Sequence, residues 1–412
     1  MLEIVATFIC LTTLLTYVNF RFIGLPPTIG VMVTALLFSL MLQGLSLMGF
    51  PGLEGRVHDL ISQIDFNDLL MNWMLSFLLF AGALHVNLAD LKSYRWPIGL
   101  LATFGVVIAT AVIGSLAYYI FAMFGWHVSF LYCLLFGALI SPTDPIAVLG
   151  ALRTANVSKP LKMTIVGESL FNDGTAVVVF TVLLGIAQLG EAPSAAQTAM
   201  LFVREAVGGA LFGGLIGYGV YRMIKSVEQY QVEVMLTLAL VIGGSAMAYE
   251  LHVSAPIAMV VAGLIIGNLG RQLAMADMTR RYMDGFWELL DDMLNAALFA
   301  LIGMELLLLP FSWTHLAAAA MLAVAILLAR FVTVAPAIAL ARRWRSIPQG
   351  TIRVLTWGGL RGGVSVALAL ALPNGEERDL LLSITYIVVL SSILLQGLTV
   401  GKVVKAVTLP AG

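Results

Sequence analysis

The sequence predicts an all-α membrane protein of about thirteen transmembrane helices, and three observations carry that expectation. The first is composition. Hydrophobic residues make up 60% of the chain and charged residues 11%, with a mean hydropathy of +0.99. A soluble domain holds roughly 45–50% apolar and 25% charged residues, so lipid must solvate much of this apolar surface. The second is spacing. Charged or turn-forming segments divide the apolar sequence into runs near 2–20, 28–48, 68–87, 97–124, 129–151, 161–187, 199–221, 231–250, 254–270, 285–309, 314–341, 352–372 and 380–401. Most are close to the roughly 20 residues that cross a 30 Å hydrocarbon core.

The third is the alternation of basic residues between loops. With the N-terminus placed outside, the inside loops carry Arg21; Lys92 and Arg95; Arg153, Lys159 and Lys162; Arg222 and Lys225; Arg271, Arg280 and Arg281; Arg342, Arg343, Arg345 and Arg353; and Lys402 with Lys405. The outside loops hold Arg56 and Arg378, with Arg204 near the outer end of its run. This positive-inside bias predicts an N-out, C-in topology. The first run lacks a basic start and continues into Arg21, so it reads as a helix and not as a cleaved signal. A net charge of −1 excludes nucleic acid as a partner, since phosphate binding needs a concentrated basic surface. Cys10 and Cys133 lie in apolar runs without metal-ligand spacing and read as buried thiols.

Two runs are interrupted. In the fifth, Ser141-Pro142-Thr143-Asp144-Pro145 places two prolines around an acid in mid-membrane. Each proline removes a backbone donor and clashes one turn back, so a continuous helix is not expected. In the twelfth, Gly358-Gly359-Leu360-Arg361-Gly362-Gly363 concentrates four glycines, each costing a helix roughly 1 kcal/mol relative to alanine. The two runs are separated by an odd number of crossings and so run in opposite directions. Interrupted helices at corresponding places in inverted halves point to a transporter's binding site. Six-helix inverted repeats joined by the seventh run follow from this topology.

The sixth run, Gly167-Glu168-Ser169-Leu170-Phe171-Asn172-Asp173-Gly174-Thr175, carries two more acids. Five positions rotate a helix by about 500°, so Glu168 and Asp173 sit about 140° apart, and Ser169 shares the face of Asp173. A hard cation takes oxygen ligands, preferably with a carboxylate among them. Asp173 and Ser169, with Thr143 and Asp144 from the broken run and Asn172 alongside, offer such a set. Helix-to-helix polar glue is the bland alternative, but glue is usually serine or threonine and not three acids at one depth. Arg361 is expected to pair with Glu168 and hold it ionised, leaving Asp173 to alternate between proton and cation. An empty, ionised Asp173 is costly to move across the apolar barrier, whereas the protonated or cation-loaded form is not. That penalty couples the two fluxes, and one carboxylate exchanging one charge for one charge predicts electroneutral exchange.

Other charges have two readings each. Asp284, Glu288, Asp291 and Asp292 form either an acidic funnel concentrating cations at the cytoplasmic entrance or favourable negative charge at a helix N-terminus. Arg330 either neutralises an acid or caps broken-helix carbonyls. A channel would need a filter-like string, and none is present. An intramembrane hydrolase using Ser169 would need a base in reach, and no histidine or lysine lies at that depth. No enzymatic activity and no cofactor are expected.

Four strings resemble the cation/proton antiporter-1 family, of the NhaP and sodium/proton exchanger type: SPTDPIAVLGAL at 141–152, GESLFNDGTAVVVF at 167–180, LFALIGMEL at 298–306 and TWGGLRGGVSVALALALP at 356–373. The resemblance covers essentially the whole chain. It implies an antiporter fold with crossed broken helices, exchanging Na⁺, or alternatively Li⁺ or K⁺, for H⁺ in a bacterial inner membrane, with a role in pH homeostasis. It also implies a homodimer, with dimer-forming helices in 1–88 and 231–309, a mobile core in 97–187 and 314–405, and a linker at 199–221. It assigns Asp173 as the transport carboxylate and Asn172 as its partner, with Thr143, Asp144 and Ser169 around the ion, and it supports the Glu168–Arg361 pair. The Asn-Asp pairing resembles the electroneutral branch. Many relatives carry an acid where this sequence has Ala81.

Overall fold

The computed structural model describes residues 2–48, 74–145, 148, 159–189, 195–305, 312–343 and 347–408, and among these the ordered structure is helical. In chain order the main helices are α1 (Leu2–Val18), α2 (Pro27–Leu47), α3 (Leu75–Leu84), α4 (Arg95–Met123), α5 (Phe130–Ile140), α6 (Lys159–Leu189), α7 (Ala195–Ile224), α8 (Tyr230–Glu250) and α9 (Ala255–Gly270). They continue as α10 (Asp277–Glu305), α11 (Trp313–Ala341), the two halves α12a (Thr351–Trp357) and α12b (Gly363–Leu370), and α13 (Glu376–Val407). Each apolar run read from the sequence overlaps one of these. Among the described residues, eight helical stretches are long and apolar enough to cross a membrane. The start of the third run, the ends of the fifth and tenth, and Arg56, His58, Arg153 and Arg345 lie outside the described residues.

Local chemistry sets several helix starts. The hydroxyls of Ser129, Ser254 and Ser312 accept the backbone N–H groups of Tyr132, Ile257 and Thr314 at 3.4, 3.4 and 3.3 Å, capping α5, α9 and α11. The interruptions fall where the prolines and glycines place them. Helix α5 ends at Ile140 before Ser141–Asp144, and α12 is open between Trp357 and Gly363.

The helices pack in two interlocking sets. Helices α4, α5, α6, α11, α12 and α13 contact one another around both interruptions, while α1, α2, α3, α7, α8, α9 and α10 form the other set. Within the second set, Trp287 of α10 stacks near Phe80 of α3 (ring centroids 4.7 Å apart) and donates to the Thr237 hydroxyl of α8 at 3.0 Å. Asn268 near the end of α9 donates to Val86 O at 2.9 Å and accepts from Leu88 N at 2.8 Å, fixing the chain after α3. Cys133 is buried as expected, but Cys10 is exposed on the outer face of α1. Helical phase decides this, and an all-apolar run does not reveal its phase.

Helix α7 illustrates how lipid and packing divide one helix. Leu211 and Leu215 are 70% and 73% exposed, a face suited to lipid. Gly209, Gly213 and Gly217, at i, i+4 and i+8, meet Ser254, Ala258 and Ala262 of α9. A Cβ at Gly213 would stand 2.2 Å from the Ala258 carbonyl oxygen. Small residues at this spacing let two backbones approach closely, which is how helices associate when lipid removes the hydrophobic drive. Gly213→Val should therefore destabilise the protein by about 1–3 kcal/mol and lower its melting temperature in detergent. Gly219→Ala, where nothing lies within 4 Å, should hold or raise that temperature, since alanine favours the helix.

Candidate functional site

The two interruptions cross and complete each other. The Asp144 N–H donates to Leu360 O at 2.8 Å. From the other strand, Arg361 Nη1 donates to Ser141 O at 2.7 Å and Pro142 O at 2.9 Å, and the Arg361 N–H donates to the Ser392 hydroxyl at 3.1 Å. Carbonyls freed by the prolines are thus capped by a guanidinium that is 2% exposed. Gly362 has to be glycine, because a Cβ there would lie 2.7 Å from the Cβ and Oδ2 of Asp144. Ser392 and Gln396 of α13, hydrogen-bonded to each other, were missed by sequence reasoning. Their signal was weak, because the run also carries Ser383, Thr385, Ser391 and Thr399, although Gln396 is its one amide.

Helix α6 passes this crossing and brings its polar face to it. The Ser169 hydroxyl donates to Thr143 O, and Asn172 Nδ2 donates to Thr143 Oγ1 at 2.8 Å. Ser169, Asn172 and Thr143 are buried, and Asp173 is 9% exposed. Asp144 lies within electrostatic range of Asp173, so two carboxylates share one region. Asn172 Oδ1 is buried and has no hydrogen-bond partner among the described residues. A buried acceptor left open is costly unless something fills it. All five residues expected around the ion (Thr143, Asp144, Ser169, Asn172 and Asp173) are therefore gathered here. Among the described residues no three His, Cys, Asp or Glu side chains are placed to hold a metal ion together. The chemistry on offer is hard oxygen from carboxylate, amide and hydroxyl groups, which suits a small hard cation or a proton.

The expected Glu168–Arg361 pair is not what forms. Glu168 Oε1 takes the guanidinium of Arg330 on α11, which also donates through Nε to Leu355 O at 3.2 Å. Arg361 stays within electrostatic reach of Glu168 but spends its Nη1 donor on carbonyls. Of the two readings open for Arg330, neutralising an acid is the one that applies to Glu168, while Arg361 takes the broken-helix carbonyls in place of the expected acid. Gly359 makes room for this, since a Cβ there would lie 2.8 Å from Arg330 Nε.

The acids of α10 lie differently from one of their two readings. Helix α10 begins at Asp277, so Glu288, Asp291 and Asp292 sit about three turns in or more, beyond the first turn where a helix N-terminus favours negative charge. Glu288 and Asp292 are exposed, and Asp291 is half-buried and within electrostatic range of Asp144. Asp284, by contrast, pairs with Arg271 and lies 3.9 Å from His85. A double-mutant cycle tests the arginine exchange. Glu168→Gln with Arg330→Gln should give a coupling of about 2–3 kcal/mol in unfolding free energy, and Glu168→Gln with Arg361→Gln a smaller one. A larger coupling to Arg361 would restore the pairing expected from sequence.

Comparison with known proteins identifies the family. Residues 8–406 match the transmembrane sodium/hydrogen exchanger family. The chain is 69% identical over 411 residues to the Na⁺/H⁺ antiporter NhaP of Pseudomonas aeruginosa, covering 99% of this chain and 97% of that one. It is 32% identical over 371 residues to the Na⁺/H⁺ antiporter NhaH of Halobacillus aidingensis, covering 88% of each. Its fold is similar to that of the sodium proton antiporter MjNhaP1 from Methanocaldococcus jannaschii, with a TM-score of 0.74 at 17% identity over 98% of this chain and 97% of that one. The protein is an integral, multi-pass membrane protein that belongs to the sodium/hydrogen exchanger family.

Proposed function

We propose that this protein exchanges Na⁺ for H⁺ across the membrane, electroneutrally, with Asp173 binding cation and proton in turn. The observation that carries this reading is the buried oxygen set at the helix crossing, where Asp173 sits beside an Asn172 carbonyl oxygen with no partner among the described residues. The relatives named above are Na⁺/H⁺ antiporters, which favours Na⁺ over Li⁺ or K⁺ as the cargo. The guanidinium of Arg330 neutralises Glu168 and the guanidinium of Arg361 is fixed on carbonyls. Asp173 is then the carboxylate whose charge changes within the cycle, and Asp144 helps to hold the ion.

Coupling follows from the cost of charge in a dry barrier. Loaded with Na⁺ or with H⁺ the Asp173 carboxylate is neutral overall and free to cross, whereas bare it is held back by several kcal/mol. Movement is an elevator-like displacement of helices α4–α6 and α11–α13 against the others, with α7 as linker. The packing of the helices into two sets supports this. Glu288, Asp291 and Asp292 draw cations toward the crossing from the cytoplasmic side, in a protein oriented N-out and C-in within a bacterial inner membrane. Two protomers associate through helices of the α1–α3 and α8–α10 set, and the exchange serves pH homeostasis.

The test is transport in vesicles carrying an imposed pH gradient, followed with a pH-sensitive dye. Na⁺ should collapse the gradient at a rate indifferent to a voltage clamp, and Asp173→Asn should abolish the collapse while the protein remains folded. Equal collapse by the variant would remove Asp173 from the cycle, and clamp-dependent rates would remove electroneutrality. Neutralising Asp291 and Asp292 to asparagine together should raise the half-saturating Na⁺ concentration several-fold at low ionic strength, with the difference shrinking as salt screens the field. An unchanged half-saturation at low salt would leave the funnel without a role.

A further inference from the structure

A cavity of about 580 Å³ lies away from the helix crossing, lined by Ala89, Lys92, Ser93, Arg95, Trp96, Pro97 and Ala341. Three elements build it. The short helix Leu88–Ser93 lies before α4, with the Asn87 side chain accepting from Ala89 N at 2.8 Å and Asp90 N at 3.3 Å to start it. Helix α4 begins at Arg95, and its first turns pack on α11, whose last residue Ala341 closes the far wall. The cavity therefore sits where two apolar spans end, at the level of the boundary between hydrocarbon and water.

Its walls divide by chemistry. Lys92 and Arg95 are exposed at the rim, and Arg342 and Arg343, also exposed, follow directly after Ala341. Trp96 is 59% exposed, with the Arg95 guanidinium 5.7 Å from its ring centroid. Pro97 and Ala341 are buried and give the floor an apolar character. The acid on the short helix is Asp90, which is half-buried, exposed less than the lysine and arginine at the rim. Basic groups above an apolar wall, with a tryptophan at the boundary, match one chemistry: an anionic phosphate head attached to acyl chains. Tryptophan rings settle at the headgroup level of a bilayer. Basic pockets between helices at that level take anionic lipid heads, each basic residue contributing about 1 kcal/mol.

The geometry points to this cavity as a binding site for an anionic phospholipid, its phosphate held by Lys92 and Arg95 and its chains lying along Pro97 and Ala341. A lipid seated there bridges the start of α4 to the end of α11, both of which belong to the helix set around the crossing. Nothing in the exchange cycle uses these residues, so lipid retention and transport can be measured separately.

The test is native mass spectrometry of detergent-solubilised protein given phosphatidylglycerol or phosphatidylcholine in parallel. The wild type should retain phosphatidylglycerol preferentially. Loss of two basic contacts in the Lys92→Gln/Arg95→Gln double variant should weaken that retention roughly thirty-fold, while Arg222→Gln/Lys225→Gln, at another loop, should not. Ala89→Trp, which narrows the cavity and leaves both charges in place, should weaken lipid retention as well. Equal retention of the two lipids by the wild type, or unchanged retention in the Lys92/Arg95 and Ala89 variants, would overturn the assignment. Displacement of phosphatidylglycerol by millimolar inorganic phosphate would also overturn it, marking a site for free phosphate.

Discussion

A backbone carbonyl without a hydrogen-bond partner costs several kcal/mol in hydrocarbon, and this chain opens two helices within its apolar layer. Everything at its centre follows from how those openings are satisfied. Each interruption supplies what the other lacks. The residues around Leu360 and Arg361 give an acceptor to the Asp144 N–H and donors to the carbonyls of Ser141 and Pro142. Ser169 of α6 and Ser392 of α13 complete the crossing, taking the Thr143 carbonyl and the Arg361 N–H. The side chains of Thr143, Ser169, Asn172 and Asp173 are left as the buried polar groups at the crossing, where the proposed cation would bind. Had the prolines stood alone, the freed carbonyls would have needed water or lipid headgroups at a depth that offers neither.

That arrangement constrains the arginines. Arg361 is committed to the crossing, with its Nη1 on two carbonyls and its backbone N–H on Ser392, while its Nε has no hydrogen-bond partner among the described residues. Glu168, turned about 140° from Asp173 on the same helix, needs a different cation, and α11 delivers Arg330. Removing one partner of a buried pair leaves an uncompensated charge that costs far more than the pair contributes. Glu168 and Arg330 are therefore a fixed joint between α6 and α11, and this is the ground for proposing Asp173 as the exchanging acid.

Much of this was legible in the sequence, for identifiable reasons. Proline and glycine act on the backbone directly, so the breaks at 141–145 and 358–363 were fixed by local chemistry. The clustering of Thr143, Asp144, Ser169, Asn172 and Asp173 followed from the depth of each residue within its run. The arginine pairing did not follow, because Arg330 and Arg361 lie at similar depth and which of them reaches Glu168 depends on how α6, α11 and α12 pack. Gly359 held a clue, since its missing side chain is the space that Arg330 occupies, but one sequence does not say which neighbour a glycine admits. Likewise an apolar run such as the first has no visible phase, so Cys10 was placed inside and lies outside. The acids of α10 became interpretable once the helix was seen to begin at Asp277.

The central claim is that Na⁺ and H⁺ compete for one carboxylate at the crossing. The most direct measurement is the number of protons released as the purified protein binds Na⁺, obtained by calorimetry in two buffers of different ionisation heat at a pH where the empty site is protonated. Competition at Asp173 predicts a proton released for each Na⁺ bound. Sodium binding of undiminished heat with no proton release would contradict the account, because cation and proton would then occupy separate sites.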